Sequence, residues 1–156
     1  MDNEILCYQE KGEGFMLLRF EQVIPEPREK VVSFFSDVKN RLRISPRFPR
    51  LRLAPRENTQ IRPGEEFHLS LDFFVGSLSW RTVIDSLQED GTFTDTMRSS
   101  MFREWRHTHS FEGLPGGTRI CDEIECTPVW WFAPWAWLAI HSLFVVRKKR
   151  ILAMAS

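Results

Sequence analysis

The sequence predicts an α+β fold: a curved antiparallel sheet of about seven strands, two short helices after the first strand, and a long C-terminal helix covering the sheet. Two observations predict it. Apolar and polar residues alternate in successive short segments between about residues 50 and 128, which is typical of antiparallel strands joined by hairpins. Residues 129–146 contain no Asp, Glu, Lys or Arg, which favours a helix packed on that sheet. With 156 residues, the chain is expected to form a single domain over residues 1–156.

The first strand and the two short helices come from the N-terminal third of the chain. Residues 15–24, FMLLRFEQVI, are predicted to form strand 1, which Pro25 ends. Residues 27–38, PREKVVSFFSDV, have the spacing of an amphipathic helix, and a proline suits its first turn. Residues 40–46, NRLRISP, indicate a second short helix or turn that ends at the proline.

The remaining strands follow from period-two patterns and turn residues. They are predicted at residues 50–55 (RLRLAP), 67–75, 78–84, 93–97, 102–111 (FREWRHTHSF) and 118–128 (TRICDEIECTP). Gly76-Ser77 is expected to form a tight turn, and Gly91 precedes the next strand. The long C-terminal helix is predicted from about Pro134.

The charge-free run at residues 129–146 has three interpretations: a packed helix, an interfacial contact, or a membrane span. Pro134 interrupts the run, His141 lies within it, and four tryptophans lie in its first half. These features favour a packed C-terminal helix.

The N-terminus and the cysteines indicate the compartment. The first ten residues lack the basic and apolar regions of a signal peptide. The three cysteines are an odd number, and Cys121 and Cys126 would face opposite sides of one strand, so they are not expected to form a disulfide. A cytoplasmic location is therefore expected.

Two histidines lie on the apolar face of one predicted strand. In residues 102–111, Trp105, His107, His109 and Phe111 point to one side, and charged or polar residues point to the other. Imidazoles on an apolar face are either held by buried partners or positioned for chemistry.

The hairpin that follows predicts a partner for one of these histidines. A loop over residues 112–117, EGLPGG, would place His107 opposite Asp122 and His109 opposite Ile120. A buried carboxylate is costly unless it is paired, so we expect His107 and Asp122 to be neighbours on the inner face. His109 has no partner that this register assigns.

Three interpretations of these residues remain open. His107 and Asp122 are a structural pair; or Asp122 orients His107 for acid/base catalysis; or His107, His109 and Asp122 bind a metal. Asp95, which shares a face with Phe93, is a second inward acid and is expected to be a hydrogen-bonded residue at a strand edge. No metal is assigned.

A basic stretch in a chain of zero net charge is the other candidate binding feature. Residues 39–62 contain eight basic residues and one acidic residue, which form either a solvated face or a site for an anionic membrane surface or an acidic carrier domain. The arginines assigned to such a partner are Arg41, Arg43, Arg47, Arg50 and Arg52. The chain lacks zinc-finger, Walker, Rossmann and Gly-x-Ser-x-Gly motifs, so neither nucleic acid nor a cofactor is expected.

Residues spread along the chain carry a family resemblance. They are Val32, Phe34, Ser36, Asp37, Asn40, Leu42, Pro46, Trp80, Ile84, Phe93 to Met97 (FTDTM), Phe102, Trp105, His107, His109, Phe111, Gly117, Thr118 and Asp122. In this pattern the chain resembles the START-like, helix-grip superfamily (SRPBCC), and within it a bacterial group of polyketide cyclase/dehydrases and ligand-binding domains. Ser100-Met101 stands where relatives usually carry Gly-Pro. The resemblance implies a helix-grip fold with an internal cavity, but no particular reaction.

The main functional hypothesis is binding of an apolar or aromatic, lipid-like or polyketide-like small molecule between the sheet and the C-terminal helix. The expected ligand-binding residues are Phe73, Trp80, Phe93, Asp95, Trp105, His107, His109 and Phe144. The first alternative is a polyketide cyclase or dehydratase, with His107 as acid/base and Asp122 as its orienter. The second is a membrane-associated lipid binder that uses the basic stretch, the tryptophans and the terminal RKKR sequence. In the main hypothesis, the Trp130–Trp137 segment forms a lid or a rim that touches the membrane.

Overall fold

A computed structural model describes residues 5–11 and 14–155 of the protein, with side chains from residue 14 to residue 154. The described residues form one eight-stranded antiparallel sheet, in the order β1-β2-β8-β7-β6-β5-β4-β3, and three helices. The elements are β1 (Ile5–Lys11), β2 (Phe15–Ile24), α1 (Arg28–Phe35), α2 (Val38–Ile44), β3 (Arg50–Leu53), β4 (Glu66–Phe73), β5 (Gly76–Leu87), β6 (Phe93–Arg98), β7 (Phe102–Leu114), β8 (Gly117–Pro128) and α3 (Ala133–Ala155).

The predicted fold class is confirmed, with one strand more than expected. Strand 1 of the prediction is β2, which alternates buried and more exposed residues as an antiparallel strand does. Both short helices follow it, and the Asp37 carboxylate caps α2 by accepting a hydrogen bond of 2.9 Å from the Lys39 backbone N–H. The additional strand is β1, which pairs with β2 at the edge of the sheet.

The register of the β7–β8 hairpin differs from the predicted one by two residues. Both strands continue into the predicted loop, and Leu114 pairs with Gly117 across a two-residue turn. Gly116 has a φ of 84°, which suits such a tight turn. Because side chains alternate with period two, the shift keeps the predicted faces but changes which residues lie opposite each other.

The corrected register exchanges the neighbours of the two histidines. His109 lies opposite Asp122, and His107 lies opposite Ile124. The prediction that His107 is directly opposite Asp122, and His109 opposite Ile120, is therefore wrong. The physical reason is that the turn closes around two residues, Pro115 and Gly116, rather than six.

Helix α3 packs on the sheet through one buried stripe. Its buried residues are Ala136, Ile140, Phe144, Arg147 and Ile151, which recur at helical spacing. The first three pack with residues of β2 and β8 in one apolar cluster, while Ile151 belongs to a second cluster under α1 and α2. Arg147 is the charged member of an otherwise apolar stripe.

Among the described residues, no helix is long and apolar enough to cross a membrane.

Candidate functional site

Six ionisable side chains lie together between the sheet and the helices. This buried polar cluster consists of Arg41 on α2, Asp95 on β6, His107 and His109 on β7, Asp122 on β8 and Arg147 on α3. Five of them are buried residues, and the Arg41 side chain is only 15% exposed. Charged groups are rarely buried unless they are paired, so their partners define the site.

The sheet itself brings the two acids and the two histidines together. Strands β6, β7 and β8 are adjacent, and Asp95 pairs with His107 while His109 pairs with Asp122. All four side chains point to the inner face, because they occupy alternate positions on their strands. Three neighbouring strands therefore build a compact group of two carboxylates and two imidazoles.

Asp122 connects the two histidines. The His107 Nε2 lies 2.9 Å from Asp122 Oδ1 in a hydrogen bond. The His109 Nδ1 lies 2.7 Å from the same oxygen, but this contact does not have hydrogen-bond geometry. The predicted contact between His107 and Asp122 is thus present, although it runs diagonally across the strands.

His109 is not without partners, contrary to the expectation from the predicted register. Its Nε2 lies 3.3 Å from Asp95 Oδ2, and its Nδ1 faces Asp122. Its ring also stacks on Phe93, with ring centroids 4.2 Å apart. His109 therefore bridges the two buried carboxylates.

Each buried carboxylate also has an arginine from a helix. Arg41 Nη2 lies 2.9 Å from Asp95 Oδ2, and Arg147 Nη1 lies 3.7 Å from Asp122 Oδ1. The sequence analysis placed Arg41 in the basic stretch and assigned Arg147 no role in this cluster. Helical spacing is the signal that could have found Arg147, since it falls one turn after Phe144 on the buried stripe of α3.

The pKa values of the cluster follow from burial and from these partners. Burial opposes ionisation of Asp122 and of Asp95, but the nearby arginines and histidine hydrogen bonds outweigh it and hold the pKa of each acid well below its ordinary range. Burial, helped by the neighbouring His109 ring, lowers the pKa of His107 from 6.5 to about 4, although Asp122 opposes the shift. At neutral pH the acids are ionised and His107 is neutral.

Aromatic residues surround the cluster. Phe144 and Trp105 lie edge-on to the His107 ring, at centroid distances of 5.7 Å and 6.2 Å. With Phe93, three of the aromatic residues predicted to bind ligand are thus in direct contact with the cluster histidines. Trp80 lies on β5 and is half-buried, and Phe73 at the end of β4 is 45% exposed.

The donor types in the cluster include a possible set for a divalent metal. Donor atoms of Asp95, His107 and His109 lie within 4.8 Å of one another, which is a different set from the predicted one because it replaces Asp122 with Asp95. Arg41 already neutralises Asp95, and the His107 Nε2 is already bonded to Asp122. A cation here would have to displace these partners, so the arrangement does not favour a metal.

The basic stretch does not act as one surface. Arg41 points into the cluster, so its assignment to an outside partner is wrong: the helical spacing of α2 turns it inward with Val38 and Ile44. Arg52 forms an ion pair with Asp72, and the Arg43 guanidinium lies over the Phe34 ring at 5.8 Å. The arginines Arg47 and Arg50 are exposed.

Large apolar side chains are exposed at one end of the sheet. This apolar rim consists of Trp130, Trp131, Trp135, Trp137 and Leu138 around the start of α3, and Phe48, Phe73, Phe74 and Val75 around the β4–β5 turn. Trp130 is 80% and Phe74 is 90% exposed. The two groups lie at the same end of the sheet because, in this antiparallel strand order, β4 and β8 both finish at that end.

A separate groove lies on the outer face of the sheet. It has a volume of about 460 Å³ and is lined mainly by polar residues, including Arg28, Glu21 and Arg119. None of the six cluster residues lines it. The internal cavity implied by the family resemblance remains a prediction.

Comparisons with known proteins identify the fold. No protein-family model matches the chain, and no curated protein is significantly similar to it in sequence. Protein CV1439 from Chromobacterium violaceum is similar in structure, with a TM-score of 0.72 at 17% identity over 89% of this chain and 96% of that one. Zhui aromatase/cyclase from Streptomyces sp. R1128 has a TM-score of 0.70 at 12% identity, covering 90% and 93% of the two chains.

A plant protein shares the same architecture. The major latex-like protein 151 from Panax ginseng has a TM-score of 0.64 at 11% identity, covering 91% of this chain and 98% of that one. The chain therefore has the helix-grip fold that the sequence predicted, with a curved antiparallel sheet and a long C-terminal helix. At these identities the comparisons establish the fold alone.

Proposed function

We propose that the protein binds an apolar or aromatic small molecule between the sheet and α3, with the polar end of the ligand at the buried polar cluster. The observation that carries the proposal is the cluster itself: six ionisable groups surrounded by Phe93, Trp105 and Phe144 in the interior of a helix-grip fold. Few precisely placed polar groups among aromatic side chains are typical of small-molecule sites.

Stability alone is a weak reason for such a cluster. Replacing a buried ion pair with well-packed apolar residues is often neutral or stabilising, because desolvation offsets much of the attraction between the charges. A cluster of six groups in the centre of a small domain is therefore better explained by recognition. The shared fold supports this, since an aromatase/cyclase uses the same scaffold.

Ligand binding can be tested with the neutral fluorophore N-phenyl-1-naphthylamine and with native mass spectrometry of the freshly purified protein. We expect saturable fluorescence enhancement, a retained small molecule, or both. Phe144→Ala should weaken fluorophore binding about tenfold, whereas Leu138→Ala on the exposed face of α3 should leave it unchanged. The absence of both saturable enhancement and a retained ligand would overturn the proposal.

A cyclase or dehydratase is the second candidate, and the His107–Asp122 hydrogen bond favours it. If His107 donates through Nε2 to Asp122, its Nδ1 is left as a base, and a pKa of about 4 keeps that base neutral at pH 7. His109 or Asp95 would then contact the developing oxyanion.

Turnover and stability together test the catalytic role. As an enzyme, the protein should lose at least about a hundredfold in turnover of a poly-β-ketone substrate on His107→Ala, with little change in melting temperature. The exposed His68→Ala variant is the control. If His107→Ala instead lowers the melting temperature strongly and leaves turnover per folded molecule unchanged, His107 has only a structural role.

A membrane-associated lipid binder is the third candidate, and the exposed tryptophans favour it. Trp side chains suit the interface between lipid and water, and Arg47 and Arg50 would attract an anionic surface. Flotation with vesicles of phosphatidylglycerol should carry the protein upward, and replacing Trp130 and Trp135 by Ser should prevent this. The absence of flotation at low salt would contradict membrane binding.

A cytoplasmic location is consistent with the free thiols of Cys121 and Cys126.

A further inference from the structure

Arg147 has hydrogen-bonding capacity that the described part of the protein does not use. The residue is 9% exposed and lies on the buried stripe of α3. Its Nη1 faces Asp122 Oδ1 at 3.7 Å, while its Nε and Nη2 are buried and have no hydrogen-bond partner among the described residues. A buried donor without an acceptor is costly, and more so when it is charged.

The two unused donors lie on the same edge of the guanidinium. Nε–H and the adjacent Nη2–H form a planar fork whose spacing matches the two oxygens of a carboxylate. The rings of Phe35 and Phe144 lie 5.2 Å and 5.3 Å from the guanidinium carbon, which holds the side chain in place. The fork is therefore preorganised as well as unoccupied by any described group.

The acids of the cluster are already engaged by other partners. Asp122 accepts a hydrogen bond from His107 and lies against His109, and Asp95 is bonded to Arg41 and His109. Neither acid accepts a hydrogen bond from Nε or Nη2 of Arg147. Both donors are therefore left without an acceptor among the described residues.

We propose that the fork of Arg147 binds the carboxylate of an amphipathic organic acid, whose apolar part lies among the aromatic residues around the cluster. This inference rests on the proposed ligand-binding function and narrows the ligand to a chemical class. Bidentate carboxylate recognition is the interaction for which a planar guanidinium is best suited.

The charges of the cluster can accommodate such an anion. Two arginines balance Asp95 and Asp122, so a ligand carboxylate adds one negative charge. That charge would lie at the Nε and Nη2 donors of the Arg147 guanidinium, which have no acceptor among the described residues. Because the fork is sealed from solvent, access requires neighbouring side chains to move apart.

Matched acid and alcohol probes test the inference. Dodecanoic acid and dodecan-1-ol, and likewise 2-naphthoic acid and 2-naphthalenemethanol, are compared as competitors of bound N-phenyl-1-naphthylamine at pH 7.5. We expect at least one acid to compete at a concentration about tenfold or more below that of its alcohol, since a charged hydrogen-bond pair contributes at least this much. Arg147→Met should abolish the difference by weakening the acid while leaving the alcohol unchanged.

The control is Lys149→Met, at an exposed position of the same helix, which should keep the preference for the acid. An acid that competes no better than its alcohol in the wild-type protein, or a preference that survives Arg147→Met, would overturn the inference while leaving ligand binding intact. A wild-type protein that neither binds the fluorophore nor retains a small molecule on purification would instead overturn the proposed function. If Arg147→Met does not fold, Arg147→Lys, which keeps the charge without the fork, should reduce the preference, and an undiminished preference would overturn the inference.

Discussion

At the scale of single residues, Asp122 is the centre of the buried polar cluster. It accepts a hydrogen bond from His107, lies 2.7 Å from His109 Nδ1 and faces Arg147. We expect Asp122→Asn to destabilise the protein by about 3–5 kcal/mol, because it leaves a buried guanidinium without its counter-charge. Urea unfolding at pH 7 measures the change.

The adjacent residue provides a matched control for this prediction. Glu123→Gln makes the same chemical change on the opposite face of β8, where we expect an effect within about 0.5 kcal/mol. Equal unfolding midpoints for the two variants would show that the Asp122 charge does not stabilise the cluster.

The same residues show what the sequence could predict about the site. Period-two alternation correctly placed His107, His109 and Asp122 on the inner face, because a register error of two residues leaves each side chain on the same face of the sheet. The partners of His109 were missed because pairing depends on the length of the turn. Arg147 was missed because its role depends on how α3 packs across strands distant in sequence.

At the scale of elements, Gly91 allows the β5–β6 turn to pack closely against Val32 of helix α1. Gly91 has a φ of 84°, and a Cβ added there would lie 2.5 Å from Val32 Cγ1. We expect Gly91→Ala to cost about 1 kcal/mol for the left-handed backbone and a further 1–3 kcal/mol for the clash. Thermal and urea unfolding measure the total.

Gly64 separates the two contributions to this prediction. It has a φ of 83°, but an added Cβ would meet nothing within 4 Å, so Gly64→Ala should show the backbone cost alone. Adding Val32→Ala should recover part of the loss in Gly91→Ala. Equal losses at both glycines would contradict the proposed contact with Val32.

The sequence analysis predicted the elements that have a strong local pattern of apolar residues, and it missed strand β1, which has none. The period-two pattern of β2 and the helical spacing of α1 both rest on apolar residues that become buried. Strand β1 was missed because an edge strand pairs on one side only, and residues 5–11 carry no clear alternation. Its formation depends on the neighbouring β2 rather than on its own sequence.

At the scale of the whole molecule, polar residues separate two apolar clusters. One cluster lies under α1 and α2 and the other under α3, and the buried polar cluster contacts both, through Phe35 and Phe144. Stability of the domain and the ionisation of the cluster are therefore coupled. This coupling predicts how the protein responds to acid.

We expect the free energy of unfolding to fall in two stages as the pH decreases. The pKa of His107 is about 4 in the folded protein and near 6.5 in the unfolded chain, so between these values the unfolded chain binds the extra proton and stability is lost. Below about pH 4 the unfolded carboxyl groups also take up protons, whereas the lowered pKa values of Asp95 and Asp122 keep both acids ionised in the folded protein. In both stages, the free energy of unfolding decreases as the pH falls.

The first stage can be isolated with a histidine variant. Urea unfolding of the wild-type protein between pH 7.5 and pH 4 should lose on the order of 3 kcal/mol through His107, and His107→Gln should flatten this part of the profile even if it lowers stability at every pH. The exposed His68→Gln variant should keep the wild-type slope. If His107→Gln also keeps that slope, His107 does not exist as a neutral buried imidazole, and its role as a neutral base would lose its physical basis.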